Sequence, residues 1–224
     1  MTTVVLCGSL GSSSAMWDAQ LPALSAHDLV LVDHPGHGGA PLADVWGVAD
    51  LARRVPGERF SLVGLSLGGA VGMWLALHEP ERIEKLVLVS TSARFGDPAM
   101  WEERAATVRA DGLEAIVDTV LARWFTPSFR DVERFREMFL STDPEGYARC
   151  CEAIARWDVT GELTRVAAPV LVIAGAEDPS TPPEQLRAIA AEIPDSRLEV
   201  IERARHLVNV EFDAQFNALL EAFL

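Results

Sequence analysis

Six short apolar runs recur along the chain with helical stretches between them, and this alternation restricts the fold more than any other feature. The runs are residues 2–7, 29–33, 60–64, 86–90, 170–175 and 197–202. Most are continuously apolar rather than alternating, which is typical of parallel strands buried on both faces. The alternation of strands and helices therefore predicts an α/β fold with a doubly wound, mostly parallel sheet of about six strands.

The long interval between the fourth and fifth apolar runs has helical periodicity and no strand. One stripe of apolar residues at helical spacing consists of Leu113, Ile116, Val117, Val120, Leu121 and Trp124. Helical stretches flank it on both sides, and another covers residues 147–157. We therefore predict an α/β core formed by residues 1–92 and 166–224. A helical cap, residues 93–165, is inserted between two core strands.

Charge, hydropathy and cysteine content argue against several classes of protein. The 224 residues carry a net charge of −14, which is unsuited to binding nucleic-acid phosphates. No run approaches the ~18 apolar residues of a membrane span, and the opening "TTVVLCG" lacks the basic region of a signal peptide. Cys7, Cys150 and Cys151 cannot form a disulfide framework, so we expect a cytoplasmic protein without a redox site.

The segment "SLVGLSLGGAVGMWLALHEP" carries the strongest chemical signal. Ser66 lies in a G-x-S-x-G motif between a predicted strand and a predicted helix. A serine at such a strained turn presents its hydroxyl above the sheet edge, and the flanking glycines give the turn room. The alternative is an ordinary glycine-rich turn, but the strand before and the helix after favour a nucleophile.

A serine nucleophile needs a base, and the position of His206 suits that role. His206 follows the last predicted strand and precedes the last helix, so it can reach the carboxyl edge of the sheet. We expect structural or remote positions for the other four histidines, which are His27, His34, His37 and His78.

The acid that orients the base is predicted to be Asp178. It follows the strand "VLVIAG", on a loop at the same edge of the sheet. Glu177 and Asp33 are the competing acids. Beginning three residues after Asp178, the pattern "TPPE" predicts a helix start with a capping box formed by Thr181 and Glu184.

The chain order Ser66, Asp178, His206 is that of the α/β-hydrolase fold. Other chemistries lack their motifs, because the chain has no phosphate-loop lysine, no G-x-G-x-x-G opening a helix, no H-E-x-x-H and no C-x-x-C. We therefore expect a hydrolase-type site without a metal or other cofactor.

Two backbone N–H groups are expected to form the oxyanion hole. The first belongs to Leu67, at the start of the helix that follows the nucleophile. The loop "CGSLGSSSAMWD" follows the first strand, where this fold places its second donor. We assign that N–H to Ser9, with Leu10 as the alternative.

Nearly the whole chain resembles the 3-oxoadipate enol-lactonases of aromatic-acid degradation. The resemblance rests on "GSLGSSSAMWDAQLPALS", "DHPGHG", "VGLSLGG", "RWFTPSF", "TDPEGYARCCEAIARWD", "PVLVIAGAEDPSTPP" and "HLVNVE". Several of these are common to serine α/β-hydrolases, whereas the two cap segments point to the lactonases. The resemblance implies a triad of Ser66, Asp178 and His206 that opens an enol-lactone ring beneath the cap.

The substrate of that family carries a free carboxylate, so an arginine should bind it. Arg123 flanks the buried stripe that ends in Trp124 and is the better candidate. Arg156 lies opposite the apolar face of its helix and should be solvated. Trp124, Trp157 and Leu10 are further candidates for contact with the substrate. The two adjacent cysteines lie on the apolar face of the predicted helix 147–157, and we interpret them as packing residues.

Proteins of this family usually begin with two strands that precede the one at residues 2–7. Without them, the run 29–33 would be an exposed apolar edge strand, which is prone to self-pairing. We therefore expect a partner chain or a loop to cover this edge, with a homo-oligomer as one outcome.

Two other classes of function remain open at this stage. The same triad could serve a simple carboxylesterase or a carbon–carbon bond hydrolase acting on a dienone acid. A ligand-binding receptor on a hydrolase scaffold is a non-enzymatic alternative. Fast hydrolysis of a chromogenic ester would argue against the receptor.

Overall fold

Six parallel strands form one sheet at the centre of the computed structural model, which describes residues 2–224. The strands are β1 (Thr3–Cys7), β2 (Asp28–Val32), β3 (Phe60–Leu65), β4 (Ile83–Val89), β5 (Val170–Gly175) and β6 (Ser196–Ile201). Their spatial order is β2-β1-β3-β4-β5-β6, and every pairing is parallel. The predicted sheet is confirmed, although β4 begins earlier than the sequence suggested.

Burial along the sheet follows the composition of the strands. Every residue of β3 and β5 is buried, as expected for continuously apolar central strands. The edge strands β2 and β6 are only partly covered. Leu31, on β2, keeps 42% of its surface exposed.

Nine α-helices surround the sheet within residues 2–224. They are α1 (Val48–Ala52), α2 (Leu67–His78), α3 (Pro98–Asp111), α4 (Val117–Trp124), α5 (Val132–Leu140), α6 (Pro144–Ala155), α7 (Pro183–Glu192), α8 (Val208–Glu211) and α9 (Asp213–Phe223). None of the helices in this described part of the chain is long and apolar enough to cross a membrane.

Helices α3 to α6 all lie in the interval between β4 and β5. The two ends of the interval meet, because Val159 N–H donates to Ala93 O at 3.0 Å and Arg94 forms an isolated antiparallel bridge with Asp158. Both adjacent cysteines of α6 are fully buried, as their position on the apolar face predicted.

Helix α6 contacts the core at the loop that follows β2. Asp143 caps α6 through its side chain, and its own N–H donates to Gly36 O at 2.7 Å. A Cβ added to Gly146 would lie 2.7 Å from Pro35 O, so only glycine allows this close approach. The contact fixes the inserted helices over the carboxyl edge of the sheet.

Candidate active site

Ser66 joins β3 to α2 in a strained backbone conformation. Its φ is 56° and its ψ is −111°, a region that non-glycine residues rarely occupy. Neighbouring glycines make the turn possible. A Cβ at Gly64 would lie 2.2 Å from Gly68 O, and one at Gly68 would lie 2.0 Å from Cys7 O. The sequence therefore folds locally into the sharp turn expected of a nucleophile elbow.

The peptide groups of the elbow are held from the adjacent strand. Ser66 N–H donates to Val89 O at 2.9 Å, and the Thr91 hydroxyl donates to Ser66 O at 2.7 Å. Thr91 is fully buried two residues after the end of β4. Sequence reasoning did not identify this threonine, because its partner comes from a different strand.

Asp178 and His206 form a buried pair at the same edge of the sheet. The Asp178 Oδ2 atom lies 2.7 Å from His206 Nδ1. Burial, the largest effect, opposes ionisation of Asp178. The charge of His206 and hydrogen bonds from His206, Thr181 and the Ser180 N–H together outweigh burial, so the Asp178 pKa is lowered. The carboxylate is therefore ionised near neutral pH and accepts a hydrogen bond from the imidazole.

Thr181 serves the acid loop rather than the helix that follows it. Helix α7 begins at Pro183 without a side-chain cap, so the predicted capping box with Glu184 is wrong. The Thr181 hydroxyl instead donates to Asp178 Oδ2 at 2.7 Å. Thr181 lies one residue before the N-cap position, which Pro182 occupies, and its hydroxyl donates to a charged acceptor, which makes a strong hydrogen bond.

The competing acids lie elsewhere. Glu177 is exposed and lines a surface groove beside Arg203. Asp33 accepts a hydrogen bond from Ser14 N–H at 2.5 Å and so holds the loop after β1. Asp178 is thus the acid that the structure brings to His206.

The expected oxyanion donors lie beside the nucleophile. Leu67 is the first residue of α2, where an N–H has no intrahelical acceptor. Gly68 N–H donates to Gly8 O at 3.0 Å, which joins the elbow to the loop carrying Ser9. His34 also contacts this loop, since its Nε2–H donates to Gly8 O at 3.0 Å.

His34 has a structural role, because burial lowers its pKa against the opposing effect of the Gly8 hydrogen bond. The imidazole is therefore neutral near pH 7. In that form it acts as a fixed donor to the loop.

A cavity of about 290 Å³ opens above the elbow. Ser66 and His206 lie in its wall, and the predicted substrate-contacting residues Leu10, Arg123 and Trp124 line it as well. Ser9 contributes to the same wall.

The expectation that Trp157 lines this cavity is not met. Its indole N–H donates to Ser92 O at 3.0 Å, and the side chain lines a separate cleft. The helical spacing of apolar residues correctly predicted that Trp157 is buried. It could not show whether the side chain packs against other residues or lines the cavity. Arg156 is exposed, as predicted.

The His206 loop is tied directly to the inserted helix α4. Leu207 N–H donates to Trp124 O at 3.1 Å, and Arg205 donates to Phe125 O at 3.2 Å. The residues of α4 that line the cavity therefore have a fixed position relative to the base.

Sequence reasoning missed several residues of the cavity wall, notably Trp101, Arg104, Tyr147 and Gln185. Met100, Trp101 and Arg104 share one face of α3 at helical spacing, a signal that could have identified them. Gln185 lines the cavity from α7, and its Oε1 atom has no hydrogen-bond partner among the described residues.

The cavity is positively charged in a protein that is acidic overall. No Asp or Glu among residues 2–224 lines it, although both Arg104 and Arg123 do. The wall is therefore suited to an anionic organic ligand.

Over residues 2–224, no group of three or more His, Cys, Asp or Glu side chains is arranged to hold a metal ion.

The chain matches the family model described as alpha/beta hydrolase fold over residues 2–213. It belongs to this family. The six-stranded parallel sheet agrees with this assignment.

Relatives within the family include lactonases and esterases. The chain is 36% identical to 3-oxoadipate enol-lactonase 2 of Acinetobacter baylyi over 99% of its own length and 88% of the relative's. An enol-lactonase structure from Burkholderia xenovorans LB400 is 35% identical with a TM-score of 0.95, covering 99% and 90% of the two chains. A thermophilic esterase from Thermogutta terrifontis with malate bound is 29% identical, with a TM-score of 0.93 and coverages of 100% and 89%. The resemblance seen in the sequence is confirmed.

Proposed function

We propose that this protein is a serine hydrolase that opens an enol-lactone bearing a carboxylate, converting 3-oxoadipate enol-lactone to 3-oxoadipate. The observation that carries the proposal is the 2.7 Å pair of Asp178 and His206 beside the strained Ser66, in one cavity with Arg123. The similarity to 3-oxoadipate enol-lactonase 2 supports the choice of substrate.

In the first half of the reaction, Ser66 attacks the lactone carbonyl while His206 takes its proton. The N–H groups of Leu67 and Ser9 stabilise the oxyanion that forms. Asp178 holds the imidazole in the correct orientation and stabilises its positive charge. The acyl–oxygen bond then breaks and His206 returns the proton to the departing enol oxygen.

In the second half, water attacks the acyl-enzyme with His206 as the base. Collapse of the second tetrahedral intermediate releases the new carboxylate and restores Ser66. The enol remains part of the same molecule after ring opening and tautomerises to a ketone. The two halves use the same groups, so no cofactor is required.

The inserted segment 93–165 would act as a cap over this chemistry. A volume of about 290 Å³ equals roughly ten water molecules at their volume in the liquid, enough for a ligand of about ten non-hydrogen atoms. Arg123 and Trp124 belong to the cap and face this space. Arg123 thus places a positive charge where the substrate's carboxylate could bind.

A carboxylesterase is the second candidate, favoured by the similarity to the Thermogutta terrifontis esterase. A spectrophotometric comparison of enol-lactones with neutral esters separates the two. We expect kcat/KM to be highest for the carboxylate-bearing enol-lactone. Faster turnover of neutral esters would favour the esterase.

Ser66→Ala is the control for that comparison. Its kcat should fall by several orders of magnitude, as it does when other triads lose their nucleophile. A variant that keeps more than about a tenth of wild-type turnover would contradict the assignment of Ser66, whichever substrate proves best.

We also propose that two copies associate through the edge strand β2. Within residues 2–224, β2 is paired with β1 alone, and Leu31 remains 42% exposed. The residues of β2 are only partly buried within the described chain, which supports a second copy as the cover for this edge. Light scattering should show a dimer that Leu31→Lys dissociates, whereas a wild-type monomer would exclude it.

The three free, buried cysteines support a cytoplasmic location.

A further inference from the structure

Two arginines line the catalytic cavity, and sequence reasoning considered only one of them. Arg104 lies on α3 and Arg123 on α4, so they approach the cavity from different helices. Neither forms an ion pair with any residue of the described chain. Since the protein has 33 acidic residues against 19 basic ones, two unpaired arginines in one cavity point to an anion supplied by a ligand.

Arg109 shows what the same helix does with an arginine outside the cavity. Its Nε lies 2.7 Å from Glu145 Oε2, and its Nη1 lies 2.5 Å from Glu152 Oε1. Both partners come from α6, which packs beside α3. An arginine on the outer side of α3 thus finds carboxylate partners on α6, whereas no carboxylate lies on the side of α3 that lines the cavity.

Arg104 is held in place before any ligand arrives. Its guanidinium lies over the Trp101 ring, 4.7 Å from the ring centroid. Trp101 is itself fixed, because its indole N–H donates to Phe95 O at 2.6 Å. No comparable aromatic contact or hydrogen bond orients the Arg123 guanidinium within the described residues. Arg104 is therefore the better oriented of the two cations.

Tyr147 provides a second neighbour for Arg104. Burial is the main cause of the raised pKa of the Tyr147 hydroxyl, and the charge of Arg104 opposes that rise. The tyrosine is 1% exposed and lines the same cavity. Arg104 thus lies between an indole face and a neutral phenol, neither of which neutralises its charge.

We propose that Arg104 is the main determinant of specificity for a carboxylate on the substrate, with Arg123 as the secondary contact. A planar guanidinium stacked on a ring keeps its free edge available for two parallel hydrogen bonds to a carboxylate. Because stacking fixes its orientation beforehand, little rotational freedom is lost on binding. The preferred substrates are then esters or lactones derived from dicarboxylic acids, with one carboxyl group left free.

This inference deepens the proposed function and rests on it for the identity of the reaction. Its test needs no enol-lactone. Mono-4-nitrophenyl succinate and its methyl ester differ by one negative charge and share the scissile bond. The ratio of their kcat/KM values measures the preference for the carboxylate, whichever natural substrate the protein hydrolyses.

Arg104→Gln should lower kcat/KM for the anionic ester roughly 10- to 150-fold, the range for loss of a hydrogen bond to a charged group at a partly buried side chain. For the methyl ester the change should stay within about threefold. Arg123→Gln should reduce the preference less than Arg104→Gln does. Arg109→Gln, on the same helix but outside the cavity, should leave the ratio unchanged.

Two further variants keep the test informative if Arg104→Gln folds poorly. Arg104→Lys retains the charge but not the planar fork, so it should keep only part of the preference. Trp101→Leu removes the stacking surface and should raise KM for the anionic ester more than for the methyl ester. Equal losses for both esters in these variants would overturn the proposal, as would a larger effect of Arg123→Gln than of Arg104→Gln. Enol-lactone turnover could persist under either result, so these variants test the role of Arg104 and not the proposed function, which the comparison of enol-lactones with neutral esters tests.

Discussion

Mild acid should destabilise the folded protein through His37, which lies in the loop that contacts α6. The side chain is fully buried, and its Nδ1–H donates to Pro35 O at 3.0 Å. Its Nε2 has no hydrogen-bond partner among the described residues. Burial first, and then the charge of His34, lower the His37 pKa from 6.5 to about 3, although Pro35 O and Asp143 favour the protonated form.

The size of the effect follows from proton linkage. Because the folded pKa of His37 lies below the unfolded one, the unfolded state takes up the proton first as the pH falls. The contribution to stability is therefore complete above pH 6.5 and declines as the pH drops toward the folded value near 3. At pH 5 the loss is about 2 kcal/mol, a large part of the 5–15 kcal/mol that is typical of a folded domain.

Urea unfolding at pH 8 and pH 5 measures this loss, with His37→Asn as the variant. Asparagine keeps an N–H near the position of Nδ1 but cannot take up a proton. Its smaller volume lowers stability at both pH values, so the informative quantity is the change between them. That change should be about 2 kcal/mol smaller in His37→Asn than in the wild type.

His78→Asn is the matched control, because His78 is exposed on α2. It should keep the pH dependence of the wild type. If His37→Asn lost as much stability as the wild type between pH 8 and pH 5, the buried, neutral state assigned to His37 would be wrong.

Three further predictions concern the elbow, the acid loop and the thiols. Gly68→Ala places a Cβ 2.0 Å from a carbonyl oxygen of β1 and should lower the unfolding free energy by roughly 3 kcal/mol or more in urea titrations. Gly47→Ala, the control, meets open space but replaces the N-cap residue of α1, so it should lower the unfolding free energy by no more than about 1 kcal/mol. Thr181→Val removes a hydrogen bond to the Asp178 carboxylate and should lower the unfolding free energy at pH 7 by about 1.5–3 kcal/mol. Thr181→Ser keeps the hydroxyl and should retain most of that stability. Equal losses in the two variants would show that this hydrogen bond does not stabilise the protein. Burial raises the pKa of every cysteine, so a thiol reagent at pH 8 should label none in the native protein and all three after unfolding.

The sheet and the nucleophile elbow were predictable because their signals are local. Continuous apolar runs identify buried parallel strands, and the glycines that make the elbow possible stand within two residues of Ser66 in the sequence. Asp178 and His206 could be placed because each follows a strand, and parallel strands end at one edge. Their chain order then restricted the family.

The cap residues were less predictable because several helices contribute to one cavity. Helical spacing places Trp157 and Trp124 on buried faces alike, but only the packing of the helices decides which of them reaches the cavity. Arg104 was overlooked because its importance depends on unpaired charge, a property of neighbours that are distant in sequence. Thr181 matched a helix cap locally, yet the nearby carboxylate binds its hydroxyl.

The central claim is that Ser66 is the nucleophile of a hydrolase, and covalent trapping tests it most directly. A fluorophosphonate forms a stable bond with an activated serine hydroxyl. Peptide mass spectrometry of the treated wild type should find one phosphonyl group, on Ser66, and Ser66→Ala should remain unmodified. An unmodified wild type, or a phosphonyl group on another residue, would contradict the account.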